Sequence, residues 1–244
     1  NLPWKGGKQL SSEEGGWETI GPSSVPFNPE DVSPREMTLE EIKKAVADFQ
    51  LAAIRALEAG YDILEIHAAH GYLIHEFHSP LSNLRTDPYG GCFENRIRFL
   101  VDIVKHIKMV WPQEMPLFVR ISATDWYEGG WNIEEAVQLA SVLKQEGVDL
   151  IDCSSGGLVP VQKIVLGPGY QVPFAEKIKK ESGIMTSAVG LITDPHQAEE
   201  ILHKGQADLV LFAREALRNP YFPLHAAKAL GEDIQWPLQY LRAK

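Results

Sequence analysis

The sequence predicts an α/β fold built on a parallel sheet, and three observations carry that expectation. Short apolar runs at 62–66, 117–122, 148–153, 185–189 and 208–212 alternate with amphipathic segments at about 94–110, 132–146, 172–182, 194–204 and 214–230. The runs are apolar nearly throughout, the pattern of strands covered on both faces by helices and core. Side chains capable of chemistry gather near the C-terminal end of each run, the face on which parallel barrels place their sites. Five strands would also suit a doubly wound sheet, but no glycine-rich dinucleotide fingerprint follows the first run. The expected architecture is therefore a (β/α)8 barrel of the TIM type, with about five C-terminal β/α units present in this chain.

The elements follow in order. Residues 1–36 are rich in Gly, Ser, Pro and Trp, including Trp4, Gly6, Gly7, Trp17 and Pro22, and read as an irregular arm. Residues 37–244 supply the barrel units. Thr38 and Glu41 form a capping box, after which Ile42, Val46, Phe49 and Ala53 recur at helical spacing and Gly60 supplies the stop. Asp194-Pro195 is a cap followed by proline at the first helical position, and Gly147, Gly183, Gly205 and Gly231 stand where helices should end. Between the first two units, residues 79–96 carry Pro, Asn, Asp and paired Gly, the composition of an ordered loop above the barrel mouth or of a solvated one.

Bulk properties exclude several classes. The net charge of −10, with no Lys/Arg stripe, argues against nucleic acid as a partner. No apolar run is long enough for a membrane span and no signal peptide is visible, so a cytoplasmic setting is expected. The two cysteines, Cys92 and Cys153, cannot build a disulfide framework. The chain opens on Asn1; a proteolytic product, an engineered piece or a crop from a longer polypeptide would each begin in this way.

The richest segment is Glu65-Ile66-His67-Ala68-Ala69-His70-Gly71-Tyr72-Leu73. Two imidazoles three residues apart, leaving a strand into a turn, can converge on one oxygen and stabilise negative charge developing there. Tyr72 adds a phenol able to deliver a proton. Structural histidines would fit the same residues. A zinc site drawn from His67, His70, His75 and His78 is the other alternative, and it would imply a metal-dependent hydrolase; no HExxH motif and no cysteine pair completes that set. Arg120, inside an apolar strand, requires an anionic or strongly polar partner, either a carboxylate such as Asp152 or Glu65 or a bound anion. The small-residue turns Ser187-Ala188-Val189-Gly190 and Phe212-Ala213-Arg214-Glu215 could cradle a phosphate through backbone N–H groups and Arg214.

Taken together, residues 65–73, the SPLSN, RTD, YGG and ENR stretch of 79–96, and residues 118–123, 150–156 and 188–193 resemble the old yellow enzyme family, in its thermophilic-like branch. The resemblance runs from about Leu2 to Arg242. It implies an FMN-dependent ene-reductase in which NADPH, or NADH, reduces the flavin and hydride then passes to an activated C=C bond of an enone, maleimide or nitroalkene. In that scheme His67 and His70 hold the substrate oxygen and Tyr72 is the proton donor. Arg120 lies beside the flavin ring, Ala188 and Gly190 line the flavin, and Ala213 and Arg214 hold its phosphate. The family often has glycine where Ala213 stands. Arg242 matches an arginine that reaches a neighbouring subunit, although Ala243-Lys244 departs from the usual ending. About a hundred residues precede the point matching Asn1 in family members, with three strands, a flavin-contacting glutamine, and a cysteine and tyrosine typical of the branch. The resemblance therefore implies completion by such a segment or a homo-oligomer, or else a catalytically incomplete fragment that only binds phosphate, flavin or a partner chain.

Overall fold

A computed structural model describes residues 7 and 9–244; Leu2, Trp4 and Gly6 lie outside the described residues. The arm is less irregular than its composition suggests. It carries a 3-10 turn at Ser12–Glu14 and a small parallel pair, β1 (Ile20–Gly21) with β2 (Arg35–Glu36). Helix α1 (Leu39–Glu58) then starts at the expected box: the Glu41 N–H donates to Thr38 Oγ1 at 3.2 Å and the Thr38 N–H to Glu41 Oε2 at 2.8 Å. Its stripe of Ile42, Val46 and Ala53 is buried, and it packs against α4 (Arg98–Lys108), whose Phe99, Leu100, Ile103, Val104 and Ile107 are buried in turn.

Five parallel strands form the sheet in sequence order: β3 (Leu64–Ala68), β4 (Leu117–Ser122), β5 (Leu150–Ser154), β6 (Met185–Ala188) and β7 (Leu209–Val210). The connections hold α2 (Leu73–His78), α3 (Phe93–Arg96) and α4, then α5 (Ile133–Gln145), α6 (Val172–Ser182) and α7 (Pro195–His203). After β7 come α8 (Arg214–Arg218) and α9 (Phe222–Ala229), then a 3-10 turn over Leu238–Ala243. The Asp194 side chain accepts the Gln197 N–H at 2.9 Å, with Pro195 at the first helical position as expected.

Several boundaries differ from expectation, the third strand among them, which runs Leu150–Ser154 where 148–153 was expected. The first strand lies two residues further on than 62–66, so Glu65 and His67 are inside it and His70 is two residues beyond. The segment expected as one helix over 94–110 breaks at Ile97, and that over 214–230 breaks at Asn219–Tyr221, where Pro220 cannot donate to the helical ladder. The last strand shrinks to two residues. Uniform burial also fails at the sheet edges: every residue of β5 is buried, whereas β3 alternates, with Ile66 and Ala68 inside and Glu65 and His67 exposed. A strand that alternates has one face packed on helices and another carrying polar groups.

Register explains what those polar groups meet. His67 pairs with Arg120, Arg120 with Asp152, and Asp152 with Ser187, so one residue from each of β3, β4, β5 and β6 stands in a single row across the sheet. In-register neighbours in parallel strands point to the same face. No helix is long and apolar enough to cross a membrane among the described residues.

Candidate active site

Beyond β3 the chain turns through Ala69, His70, Gly71 and Tyr72 into α2. His70 and Gly71 both take left-handed backbone, with φ of 60° and 74°. The turn lies backbone against backbone on the loop after β5: a Cβ on Gly71 would sit 2.2 Å from the Gly157 carbonyl oxygen, and one on Gly157 would sit 2.6 Å from His70 Cα. The His70 N–H donates to Ser122 Oγ at 3.0 Å, and Ser122 Oγ donates to the Gly156 carbonyl at 2.8 Å. Two strand ends are thus fastened to the turn.

Three rings cluster there. His67 lies 5.1 Å from His70 and 5.4 Å from Tyr72, centroid to centroid, and the Tyr72 side chain opens to solvent. Burial first, then proximity to His67 and to the Arg120 guanidinium, pull the His70 pKa down to about 4, and burial lowers that of His67 as well. His70 is accordingly neutral at pH 7, with Nε2 at 2.6 Å from Ser154 Oγ. A neutral imidazole carries one N–H, so it can present a hydrogen-bond donor without a full charge.

Arg120 takes the carboxylate alternative. It pairs with Asp152, which is fully buried, and its Nε lies 3.2 Å from Glu65 Oε1. Ser187 Oγ donates to the other Asp152 oxygen at 2.9 Å. Burial raises the pKa of both carboxyls, and each is also shaped by the other and by Arg120.

Next to this cluster lies a cavity of about 230 Å³ at the ends of β4, β5, β6 and β7. Arg120, His70, Tyr170, Gly190, Ala213 and Arg214 are among its walls. Gly190 has φ of 129°, and a Cβ there would meet the Tyr170 ring at 2.9 Å. Arg214 has no ion-pair partner among the described residues, whereas Arg218, also on the wall, is paired with Glu215 at 2.7 Å. A cavity walled by one guanidinium without a carboxylate partner and by another held in an ion pair suits an anionic, phosphate-bearing ligand. Ala188 closes β6: its side chain is fully buried in the core, its carbonyl accepts from the Leu211 N–H at 2.9 Å, and the cavity wall begins at the next residue, Val189. Arg242 is exposed on the final 3-10 turn.

The four histidines expected as a metal alternative do not share a focus. His75 is engaged with Gly71 and Asp125, and His78 is buried and stacked on Trp131 at 5.1 Å. No group of three metal-ligating side chains occurs among the described residues. Residues 79–96 form an ordered segment pinned by buried Ser79, Asn83, Arg85, Gly90 and Arg96, while Leu84, Thr86, Pro88, Gly91, Cys92 and Glu94 between them are exposed. Asn83 Nδ2 donates to the Phe77 and Tyr89 carbonyls at 2.7 and 2.8 Å. Arg85 donates to the Pro22 and Met37 carbonyls at 3.0 and 2.6 Å, and Arg96 reaches the His78 carbonyl and Glu135. Sequence reading missed Asp125, Tyr170 and Gln171. Gln171 Oε1 accepts from Ser155 Oγ at 2.5 Å while its amide donates to the Val189 carbonyl at 3.0 Å, and nothing in its neighbours signals that role.

Comparison with known proteins gives a consistent result. The model of the NADH:flavin oxidoreductase / NADH oxidase family matches residues 4–233. A protein named NADPH dehydrogenase from Geobacillus thermodenitrificans is 55% identical over 225 residues, 92% of this chain and 65% of its own length. Its namesake from Listeria innocua is 54% identical over 226 residues, covering 93% and 66%. The chain thus spans just under two thirds of the length of these relatives. Among solved structures, 2-naphthoyl-CoA reductase superposes with a TM-score of 0.81 at 30% identity, over 89% of this chain and 34% of that one. The old yellow enzyme homologue of Zymomonas mobilis superposes with a TM-score of 0.73 at 25% identity, over 94% and 66%.

Proposed function

The chain belongs to the NADH:flavin oxidoreductase / NADH oxidase family, and from that premise we propose that it carries the substrate-binding half of an FMN site for NAD(P)H-driven reduction of activated C=C bonds. The observation that carries this reading is the clustering of His67, His70 and Tyr72 beside a cavity walled by Arg120, Gly190, Ala213 and Arg214. When bound, FMN reduced by the nicotinamide supplies the hydride for the β-carbon. Arg214 and the backbone at Gly190 and Ala213 hold the phosphate end, and Arg120 donates toward the ring end while Asp152 and Glu65 fix its direction. His67 and His70 donate N–H groups to the carbonyl or nitro oxygen of an enone, maleimide or nitroalkene, which favours negative charge there. Tyr72 then delivers its phenolic proton to the α-carbon, and solvent reprotonates the exposed phenolate. We assign the chain to the cytoplasm, with exposed Arg242 serving a neighbouring copy.

The test is an FMN titration of the purified chain followed by NADPH oxidation with and without 2-cyclohexenone. Saturable binding weakened at least tenfold by Arg214→Ala, with NADPH oxidation that depends on the enone, is expected. Flavin binding without enone-dependent oxidation would leave a binding fragment, and absence of both would refute the reading.

A further inference from the structure

The left-handed backbone of His70 is one that histidine rarely adopts without restraint. One restraint is the bond from the His70 N–H to Ser122 already described. The other is less expected. The next amide, Gly71 N–H, donates to His75 Nδ1 at 2.9 Å. Because Nδ1 accepts, the His75 proton sits on Nε2, which faces Asp125 Oδ1 at 2.8 Å; both side chains are fully buried. The second oxygen of Asp125 accepts from Ser79 Oγ at 2.6 Å and from the Trp131 N–H at 2.7 Å. A relay of buried hydrogen bonds therefore runs from the β4–α5 loop, through Asp125 and His75, to the one peptide that joins His70 to Gly71 and leads into Tyr72.

We propose that His75 and Asp125 are a positioning pair: by holding the Gly71 amide they fix the direction in which the His70 ring and the Tyr72 phenol are presented. Among the described residues neither side chain lines the cavity or stacks in the three-ring cluster, and the hydrogen bond that leads from them toward the cluster is the one to that amide. An apolar pair would fill the same volume without making it. What the two rings do rests on the proposed function; the clamp itself does not.

Two substitutions in the full chain separate positioning from mere filling. In His75→Asn the amide oxygen takes the place of Nδ1 and still accepts from Gly71. In His75→Gln the amide nitrogen takes the place of Nε2, serves Asp125 and leaves the Gly71 N–H unpaired. Three quantities are measured: hydrogen exchange of residues 69–73, FMN affinity, and KM and kcat for 2-cyclohexenone. His75→Gln is expected to speed exchange of the 69–73 segment and raise KM about tenfold, the loss of one aligned hydrogen bond. FMN affinity should stay within about twofold, and His75→Asn, which keeps the Gly71 bond but gives up the one to Asp125, should stay closer to the parent than His75→Gln in both exchange and KM. Equal behaviour of the two variants, or better retention by His75→Gln, would overturn the pair's role. A parent chain without enone turnover would sink the proposed function and leave exchange to judge the clamp. Should both variants misfold, a rapidly exchanging Gly71 amide in the parent would by itself refute the clamp, and a protected one would support it.

Discussion

The closest backbone approach in the site yields a prediction whose size can be worked out in parts. In Gly71→Ala the new methyl has two costs. The first is conformational: φ of 74° is left-handed backbone, disfavoured for alanine by about 1–2 kcal/mol. The second is contact, because the Cβ would lie 2.2 Å from the Gly157 carbonyl oxygen, 2.9 Å from its carbon and 3.1 Å from Leu158 Cα. All three are backbone atoms, so no side chain can swing aside. Parting the loops strains the Gly71–His75, His70–Ser122 and Ser122–Gly156 bonds, each worth about 1 kcal/mol net. Gly60 provides the control. It has φ of 82° with nothing within 4 Å of its Cβ position, so Gly60→Ala bears the conformational cost alone. Urea unfolding of both variants should show Gly71→Ala less stable than Gly60→Ala by about 2 kcal/mol or more. A displacement of about 1 Å at His70 should also lower enone kcat/KM on the order of a hundredfold. Equal destabilisation by the two substitutions would refute the close packing of these loops, and lost stability with intact turnover would refute their role in aiming His70.

Two further perturbations test the electrostatics. Arg120→Leu strips the cation from two carboxyls and should cost about 3 kcal/mol at pH 8, shrinking as pH falls because protonated carboxyls need no counter-charge; urea unfolding across pH reads this directly, and a pH-independent loss would contradict it. Glu76 makes no side-chain hydrogen bond or ion pair among the described residues, and burial pushes its pKa up to about 7. The folded state therefore binds more protons than the unfolded one, and this group's contribution to stability falls as pH rises from about 4.5 to about 7; Glu76→Gln should flatten that fall, and an unchanged slope in pH-resolved melting would exclude Glu76 as its source.

The parallel α/β order was legible because apolar runs and helix stops are local signals. The capping box at Thr38 and the cap at Asp194 need only three or four neighbouring residues, and each sits where the spacing places it. His67, His70 and Tyr72 were legible as a cluster because six residues of sequence contain them. What could not be read is long-range. Asp125 is 50 positions from His75; for Arg120 a carboxylate partner, Asp152 or Glu65, was legible from its place in an apolar strand, but that both reach it follows from the register of three strands. The 79–96 segment was ambiguous for a related reason. Its polar residues look solvated until Arg85 and Arg96 are seen delivering hydrogen bonds to buried carbonyls of distant segments.

Three arginines around one cavity carry the same formal charge, yet their surroundings separate them. Arg120 stands between Asp152 and Glu65, whose carboxyls burial pushes upward in pKa. The guanidinium is thereby neutralised and held, so it acts as a fixed fan of N–H donors and not as a source of net attraction. Arg218 is answered by Glu215. Only Arg214, among the described arginines on the cavity wall, meets no carboxylate. Long-range attraction for a doubly charged phosphate must then come chiefly from Arg214, while Arg120 contributes geometry at short range. The consequence is a split in behaviour under salt. Binding that depends on Arg214 weakens as ionic strength rises, whereas the contribution of Arg120, enclosed in its own ion pairs, changes little. A salt series of FMN titrations on the parent and on Arg214→Ala would display this: the parent affinity should fall with salt, and the variant, weaker at the outset, should show a shallower slope. Parallel slopes would mean that the phosphate is held elsewhere and that the cavity beside His70 serves another ligand.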